Sequence, residues 1–181
     1  MSQQDESRAD TDATLAKAAS DSTSVSAWTF PDRVAHILAV WFGCGLLPKA
    51  PGTYGTLGAI PLYLLVRAQG PLVVAAWAVV LTGVGIWASE RVARRLGGKD
   101  PQIICIDEVA GVFVTWVAAP LTTPALIAGV VLFRIFDQFK PWPARFAERR
   151  FPGGWGIVLD DVFAGLWGAA CLALARALGW L

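Results

Sequence analysis

"LVVAAWAVVLTGVGIWA", Leu72–Ala88, is a run without one charged residue, apolar on every helical face. A helix hydrophobic all round belongs in lipid or in a deep core. A spanning helix needs about 20 such residues, within a range of roughly 17–25. The composition around this run decides between the two. The 181-residue chain is 55% hydrophobic and only 16% charged, with a mean hydropathy of +0.53, whereas soluble domains carry about 25% charged residues. Six of its 14 acids fall within the first 33 residues, so the remainder is poorer still in charge. The expected fold is an all-α, polytopic membrane helical bundle.

Met1–Ala27 is polar, with neither the basic start nor the apolar stretch of a secretory signal, and its low hydrophobicity predicts disorder. The expected organisation is therefore a disordered polar tail over 1–27 and a membrane-embedded domain over 28–181. Within the tail, "DTDAT" (Asp10–Thr14) matches a haloacid-dehalogenase phosphatase pattern. No buried strand precedes it, so it reads as coincidence. Cys44, Cys105 and Cys171 are far apart in apolar surroundings and read as packing rather than as a disulfide or zinc framework.

Further apolar segments run over Val34–Leu47, Leu57–Val66, Val109–Ala119, Leu121–Phe136 and Ile157–Leu181. Orientation follows from Lys and Arg. Arg8, Lys17 and Arg33, then Lys49, then Arg91, Arg94, Arg95 and Lys99, then Lys140, Arg145, Arg149 and Arg150 hold 12 of the 15 basic residues. Placing all four regions in the cytoplasm leaves Val34–Leu47 re-entrant or interfacial. Five crossings follow, with the C-terminus outside. Trp28, Trp142, Trp155 and Trp180 suit interfacial anchors.

That topology collects the polar clusters on one face. "FRIFDQFKPWPAR" (Phe133–Arg145) places Arg134, Asp137 and Lys140 at three-residue spacing, on one side of a helix. "GIVLDDVFAGLWGAACLALA" (Gly156–Ala175) opens an apolar segment with Asp160 and Asp161, and Asp107–Glu108 open another. Ionisable residues in membrane segments point to function. Helix capping alone explains the paired acids, but not the Arg134–Asp137–Lys140 row. Five carboxylates (Asp107, Glu108, Asp137, Asp160, Asp161) repel unless a cation is present. Hard oxygen ligands suit Mg²⁺ or Mn²⁺ together with a substrate phosphate. In "PKAPGTYGTLG" (Pro48–Gly58), Lys49, Thr53, Thr56 and the glycines Gly52, Gly55 and Gly58 read either as an anion cradle before a helix or as an ordinary Pro-Gly turn. "PGGWG" (Pro152–Gly156) reads as a loop into the last helix, whose small residues favour close packing.

His36 is the one histidine, which excludes histidine-nucleophile lipid phosphatases. Cys44 is followed six positions on by Ala50 rather than the arginine a cysteine phosphatase needs. Metal-assisted phosphate hydrolysis remains. "FGCGLLPKAPGTYGTLGAIP", "DEVAG", "FRIFDQFKPWPAR" and "GGWGIVLDDVFAG", in this order, resemble bacterial phosphatidylglycerophosphatase A over roughly Val34–Leu174. Cys44 stands where a serine or another small residue is expected, and the acidic tail lies outside the pattern.

The resemblance implies a Mg²⁺-dependent inner-membrane enzyme with its active site on the cytoplasmic side. It would remove the terminal phosphate of phosphatidylglycerophosphate to give phosphatidylglycerol, which also feeds cardiolipin synthesis. On that reading Asp107, Glu108, Asp160 and Asp161 are metal ligands, and one of these or Asp137 is the base. Arg134, Lys140 and Lys49, with Thr53, Gly52 and Gly55, bind phosphate. The partners implied are lipids, with no nucleic acid. Two rivals fit less well. A CDP-alcohol phosphatidyltransferase needs an Asp-x-x-Asp-Gly motif that "DEVAG" and "DDVFAG" do not reproduce. An ion-coupled transporter would carry mid-membrane charges and often repeated halves.

Overall fold

In the computed structural model, which describes residues 28–98 and 100–181, every regular element is helical. The polar tail and its "DTDAT" stretch lie outside the described residues. The elements are α1 (Phe30–Ala39), a 3₁₀ stretch (Trp41–Leu46), α2 (Pro51–Gly58), α3 (Ile60–Val66) and α4 (Pro71–Leu96). After them come α5 (Ile106–Trp116), α6 (Thr123–Phe139), α7 (Ala144–Arg150) and α8 (Gly153–Ala177). Two of these, α4 and α8, are long and apolar enough to cross a membrane.

Local chemistry sets the boundaries. Proline at the first position starts both α2 and α4, where its missing N–H costs nothing. α4 stops at Gly97 in the left-handed conformation, the usual helix terminator. Thr122 caps α6 by accepting a hydrogen bond from the Ala125 amide. At its other end Lys140 turns left-handed (φ 43°) and Pro141 follows.

Several segments differ from their sequence reading. Pro51–Gly58 is helical rather than a turn, because Pro51 starts a helix there. Ala59 stays helical (φ −75°, ψ −24°), carrying the run on into α3. "PGGWG" belongs to α8, which begins at Gly153. The Val34–Leu47 segment divides into α1, which at ten residues is about 15 Å long, and a 3₁₀ stretch broken at Phe42 and Gly43.

α5 and α8 form the centre of the bundle, with α4 and α6 against them and α7 packed on α8. Their axes run parallel, because Gly111 of α5 meets Gly165 of α8 and Thr115, one turn on, meets Gly168. The contact is backbone on backbone. A Cβ on Gly165 would lie 2.2 Å from the Gly111 carbonyl oxygen, and one on Gly111 would lie 2.6 Å from the Asp161 carbonyl oxygen and 2.4 Å from the Phe133 ring of α6. Thr115 Oγ1 adds a cross-link, donating to the Gly165 carbonyl at 3.1 Å. α8 also meets α4 closely, since the Gly154 amide donates to Glu90 Oε2 at 2.7 Å. The buried Asp32 of α1 ties to α4 through Arg91 and Arg95.

A methyl group at Gly165 therefore has no room, and overpacking of this kind costs about 1–3 kcal/mol. Gly165→Ala is expected to lower the melting temperature of the purified protein. Gly83→Ala, where no neighbouring atom lies within 4 Å, is expected to leave it unchanged or raise it, helix propensity adding up to about 1 kcal/mol of stability. Equal stability of the two variants would contradict the packing at Gly111.

Candidate active site

The Gly111 junction fixes what stands above it. One turn towards the N-terminus of α5 are Asp107 and Glu108, and one turn before Gly165 on α8 is Asp161. Parallel helices in this register bring the three side chains together, each offering one carboxylate oxygen within 4.8 Å of the others. α6 passes the same junction through Phe133, which sets Arg134 and Asp137 beside the acids. Arg134 Nη1 stands 2.8 Å from Asp137 Oδ2, an ion pair without hydrogen-bond alignment, and 3.9 Å from Glu108 Oε1. Gln138 Nε2 donates to Asp137 Oδ2 at 3.2 Å.

The first turn of α2 closes one side. A Cβ at Gly52 would fall 1.9 Å from Glu108 Oε1 and 3.2 Å from Arg134 Nη1, so only glycine lets the backbone pass this close. Gly55, one turn on, meets Cys105 instead and serves packing. Thr56 donates to the Gly52 carbonyl at 2.9 Å. Thr53 is half-buried in the same first turn, whereas Lys49 is exposed ahead of it.

Asp160 takes another direction. It stands about 100° from Asp161 round the helix and is not among the three acids whose oxygens converge. Asp160 Oδ2 accepts from Lys140 Nζ at 2.6 Å, and Glu148 Oε1 of α7 lies 3.4 Å from the same ammonium. Burial works against the charged form of Lys140, but the Asp160, Asp161 and Glu148 carboxylates together outweigh it and raise the lysine above its ordinary value. A small cavity of about 70 Å³ adjoins this pair, lined in part by Asp160, Glu148 and Asp100.

Of the residues singled out in the sequence, the structure thus groups Asp107, Glu108, Asp161, Asp137, Arg134 and Gly52. It sets Asp160 and Lys140 in an adjoining pair and leaves Gly55 and Lys49 out of contact with the acids. Sequence reasoning missed Glu148, whose segment "ARFAERR" reads as a basic connection. The available signal was its i, i+4 spacing from the buried Ala144 of a short helix, which turns Glu148 towards α8.

The donor set suits a hard divalent cation. All the ligating atoms are carboxylate oxygens. Asp107 Oδ1, Glu108 Oε2 and Asp160 Oδ1 are buried without a hydrogen-bond partner, and such orphaned acceptors are costly unless something satisfies them. The five carboxylates also exceed Arg134 and Lys140 in charge.

Comparison with known proteins agrees with this chemistry. The family model "Phosphatidylglycerophosphatase A" matches residues 37–176. The chain is 39% identical over 138 residues to phosphatidylglycerophosphatase A of Escherichia coli K12, covering 76% of this chain and 80% of that protein. It is 35% identical over 134 residues to the Haemophilus influenzae protein of the same name, covering 73% and 82%. A putative phosphatidylinositol-3-phosphatase of Bacteroides thetaiotaomicron is 38% identical over 154 residues, covering 81% and 96%. No solved structure matches the chain. With the family pattern running from the end of α1 through α8 and the acids converging within it, this chain belongs to the phosphatidylglycerophosphatase A family.

Proposed function

We propose that this chain hydrolyses the terminal phosphomonoester of phosphatidylglycerophosphate, releasing phosphatidylglycerol and inorganic phosphate. The observation that carries the reading is the convergence of Asp107, Glu108 and Asp161 oxygens within 4.8 Å beside the Arg134 guanidinium. The two relatives named for this activity support the substrate. Asp107, Glu108 and Asp161 would hold Mg²⁺, with Asp160 paired to Lys140 next to them. Bound there, Mg²⁺ would supply Lewis-acid polarisation of the phosphoryl group.

The chain's own groups do the rest. Arg134 offers a guanidinium to the phosphate oxygens, and Asp137 holds it in place. Lys140, kept protonated by Asp160, adds positive charge where the phosphate's negative charge must be met. One of the five carboxylates takes the proton released by the attacking water. Gly52 brings the first turn of α2 against Glu108 and Arg134 and narrows the site.

The setting we infer is a bacterial inner membrane with the site on its cytoplasmic side. Only 33% of the most apolar window of α4 and 44% of that of α8 is buried inside the protein. The remaining faces expose large apolar side chains such as Leu72, Val79 and Leu166, as lipid contact would require. α4, α6 and α8, the helical run over 51–69 and the segment over 106–119 would make five crossings. α1 and the 3₁₀ stretch would lie at the interface. The basic ends of α4 and α7 face the side where the acids gather, in keeping with cytoplasmic placement.

In mixed micelles containing phosphatidylglycerophosphate and Mg²⁺, the purified protein is expected to release phosphate and to stop on chelation. Asp161→Asn is expected to lower kcat by roughly a hundredfold or more, the scale of losing one electrostatic anchor in a buried site. A variant as active as the parent would remove Asp161 from the site. For orientation, in a background lacking Cys44, Cys105 and Cys171, a cysteine replacing Arg149 should react from the cytoplasmic side and one replacing Trp180 from the opposite side. Labelling of both from one side would reject the odd number of crossings.

A further inference from the structure

Between Lys140 and Pro152 the chain does more than connect two long helices. α7 buries Ala144 and Ala147 on α8 and turns Arg145, Phe146, Arg149 and Arg150 outward. With the residues that follow α6, this outward face borders a groove of about 640 Å³. All four ionisable groups that line it are basic: Lys140, Arg145, Arg149 and Arg150. Phe139 and Trp142 at its edge are 72% and 76% exposed, a pairing of aromatic surface and cations that suits the headgroup layer. Arg145 Nη2 donates to the Phe139 carbonyl at 3.2 Å, and among the described residues no carboxylate pairs with Arg145, Arg149 or Arg150. Lys140 belongs to both places, since it lines the groove and holds Asp160 at 2.6 Å. The groove therefore adjoins the Lys140–Asp160 pair beside the acid cluster.

The proposed reaction leaves a charge unaccounted for. A phosphatidylated polyol phosphate carries two phosphates, the terminal monoester that is cleaved and the diester that joins the polyol to the lipid. The acids, Arg134 and Lys140 deal with the first. The second stays on the product and has no counter-charge in that group. We propose that the groove on α7 is the subsite for this phosphodiester, with Arg149 and Arg150 as its principal anion contacts and Arg145 supporting them. The inference rests on the function proposed above and adds the determinant of its specificity. A phosphate ester that lacks the diester would forgo this contact, so the groove selects lipids whose monoester sits on a diester-linked polyol. Guanidinium groups suit the role because their fixed fork matches phosphate oxygens.

The experiment compares two anions in the full-length protein in non-ionic micelles. KM for phosphatidylglycerophosphate reads both subsites, and the inhibition constant for inorganic phosphate reads the catalytic one. Arg149→Gln combined with Arg150→Gln is expected to raise KM about tenfold, the scale of losing a charge-assisted hydrogen bond, with kcat and the phosphate inhibition constant within about twofold of the parent. Arg145→Gln is kept separate because its bond to Phe139 gives it a structural share. Arg94→Gln, which removes the same charge from the same end of the molecule outside the groove, controls for general attraction to the lipid. An unmoved KM in the double variant, an equal rise with Arg94→Gln, or a matching rise in the phosphate inhibition constant would each overturn the subsite. If the parent protein released no phosphate from this lipid, the proposed function itself would fall, and the subsite with it.

Discussion

The structure depends on two helix backbones meeting without side chains between them. Gly111 of α5 and Gly165 of α8 let the helices touch, and Phe133 of α6 fills the remaining side of the junction. Apolar burial alone could not set this geometry, because it is non-directional and tolerates sliding. A backbone contact tolerates very little. Once Gly111 and Gly165 are opposed, the helical repeat determines where Asp107, Glu108 and Asp161 point. A shift of one residue in either helix would swing an acid through about 100° and dissolve the cluster. The glycines are thus the means by which a fold made of apolar surface obtains a site of defined shape.

Charge sets the second constraint. Buried ions survive only when paired or solvated, and the molecule handles its buried acids in two ways. Asp32 is neutralised twice over, by Arg91 and Arg95, and fastens α1 to α4. The acids around Gly111 are under-neutralised. Arg134 is shared between Asp137 and Glu108, Lys140 between Asp160 and Glu148, and three buried carboxylate oxygens have no hydrogen-bond partner. A purely structural network would close these valences, as Asp32 does. Open acceptors on and beside the Asp107–Glu108–Asp161 cluster instead describe a receptacle for cations, and the adjoining arginine and lysine give it a second face for anions.

Much of this was legible in the sequence. The helical character, the two long apolar helices and the common origin of Asp107, Glu108, Arg134, Asp137 and Asp161 follow from hydrophobic runs interrupted by charge at their ends. What the sequence could not separate is Asp160 from Asp161. Adjacent acids look equivalent in a string, while on a helix they serve different neighbours, one Lys140 and the other Asp107 and Glu108. The neighbours of the α2 glycines were hidden for a related reason. Gly and Pro together suggest a turn, but Pro51 stands at the one helical position where proline is favourable. The glycines there answer to neighbours distant in sequence, Glu108 and Cys105, which no local pattern reveals. Glu148 escaped notice because the burial of its helix depends on α8, far along the chain.

The depth of the acids bears on what kind of membrane protein this is. From Asp161 to Ala177 α8 continues for about 24 Å, most of the roughly 30 Å hydrocarbon thickness, with Arg176 as its only further charge at the far end. Asp107 is the second residue of α5, and Asp137 lies two residues before the end of α6. In the membrane setting proposed here, the three helices would therefore present their charges close to one boundary of the apolar layer. A carrier that moves an ion across would need its ligands near the middle, reachable from both sides. An enzyme acting on a lipid headgroup has the opposite requirement, because its substrate's phosphate stays at the surface while the acyl chains remain in the bilayer. The length of α8 beyond Asp161 is that of the second case.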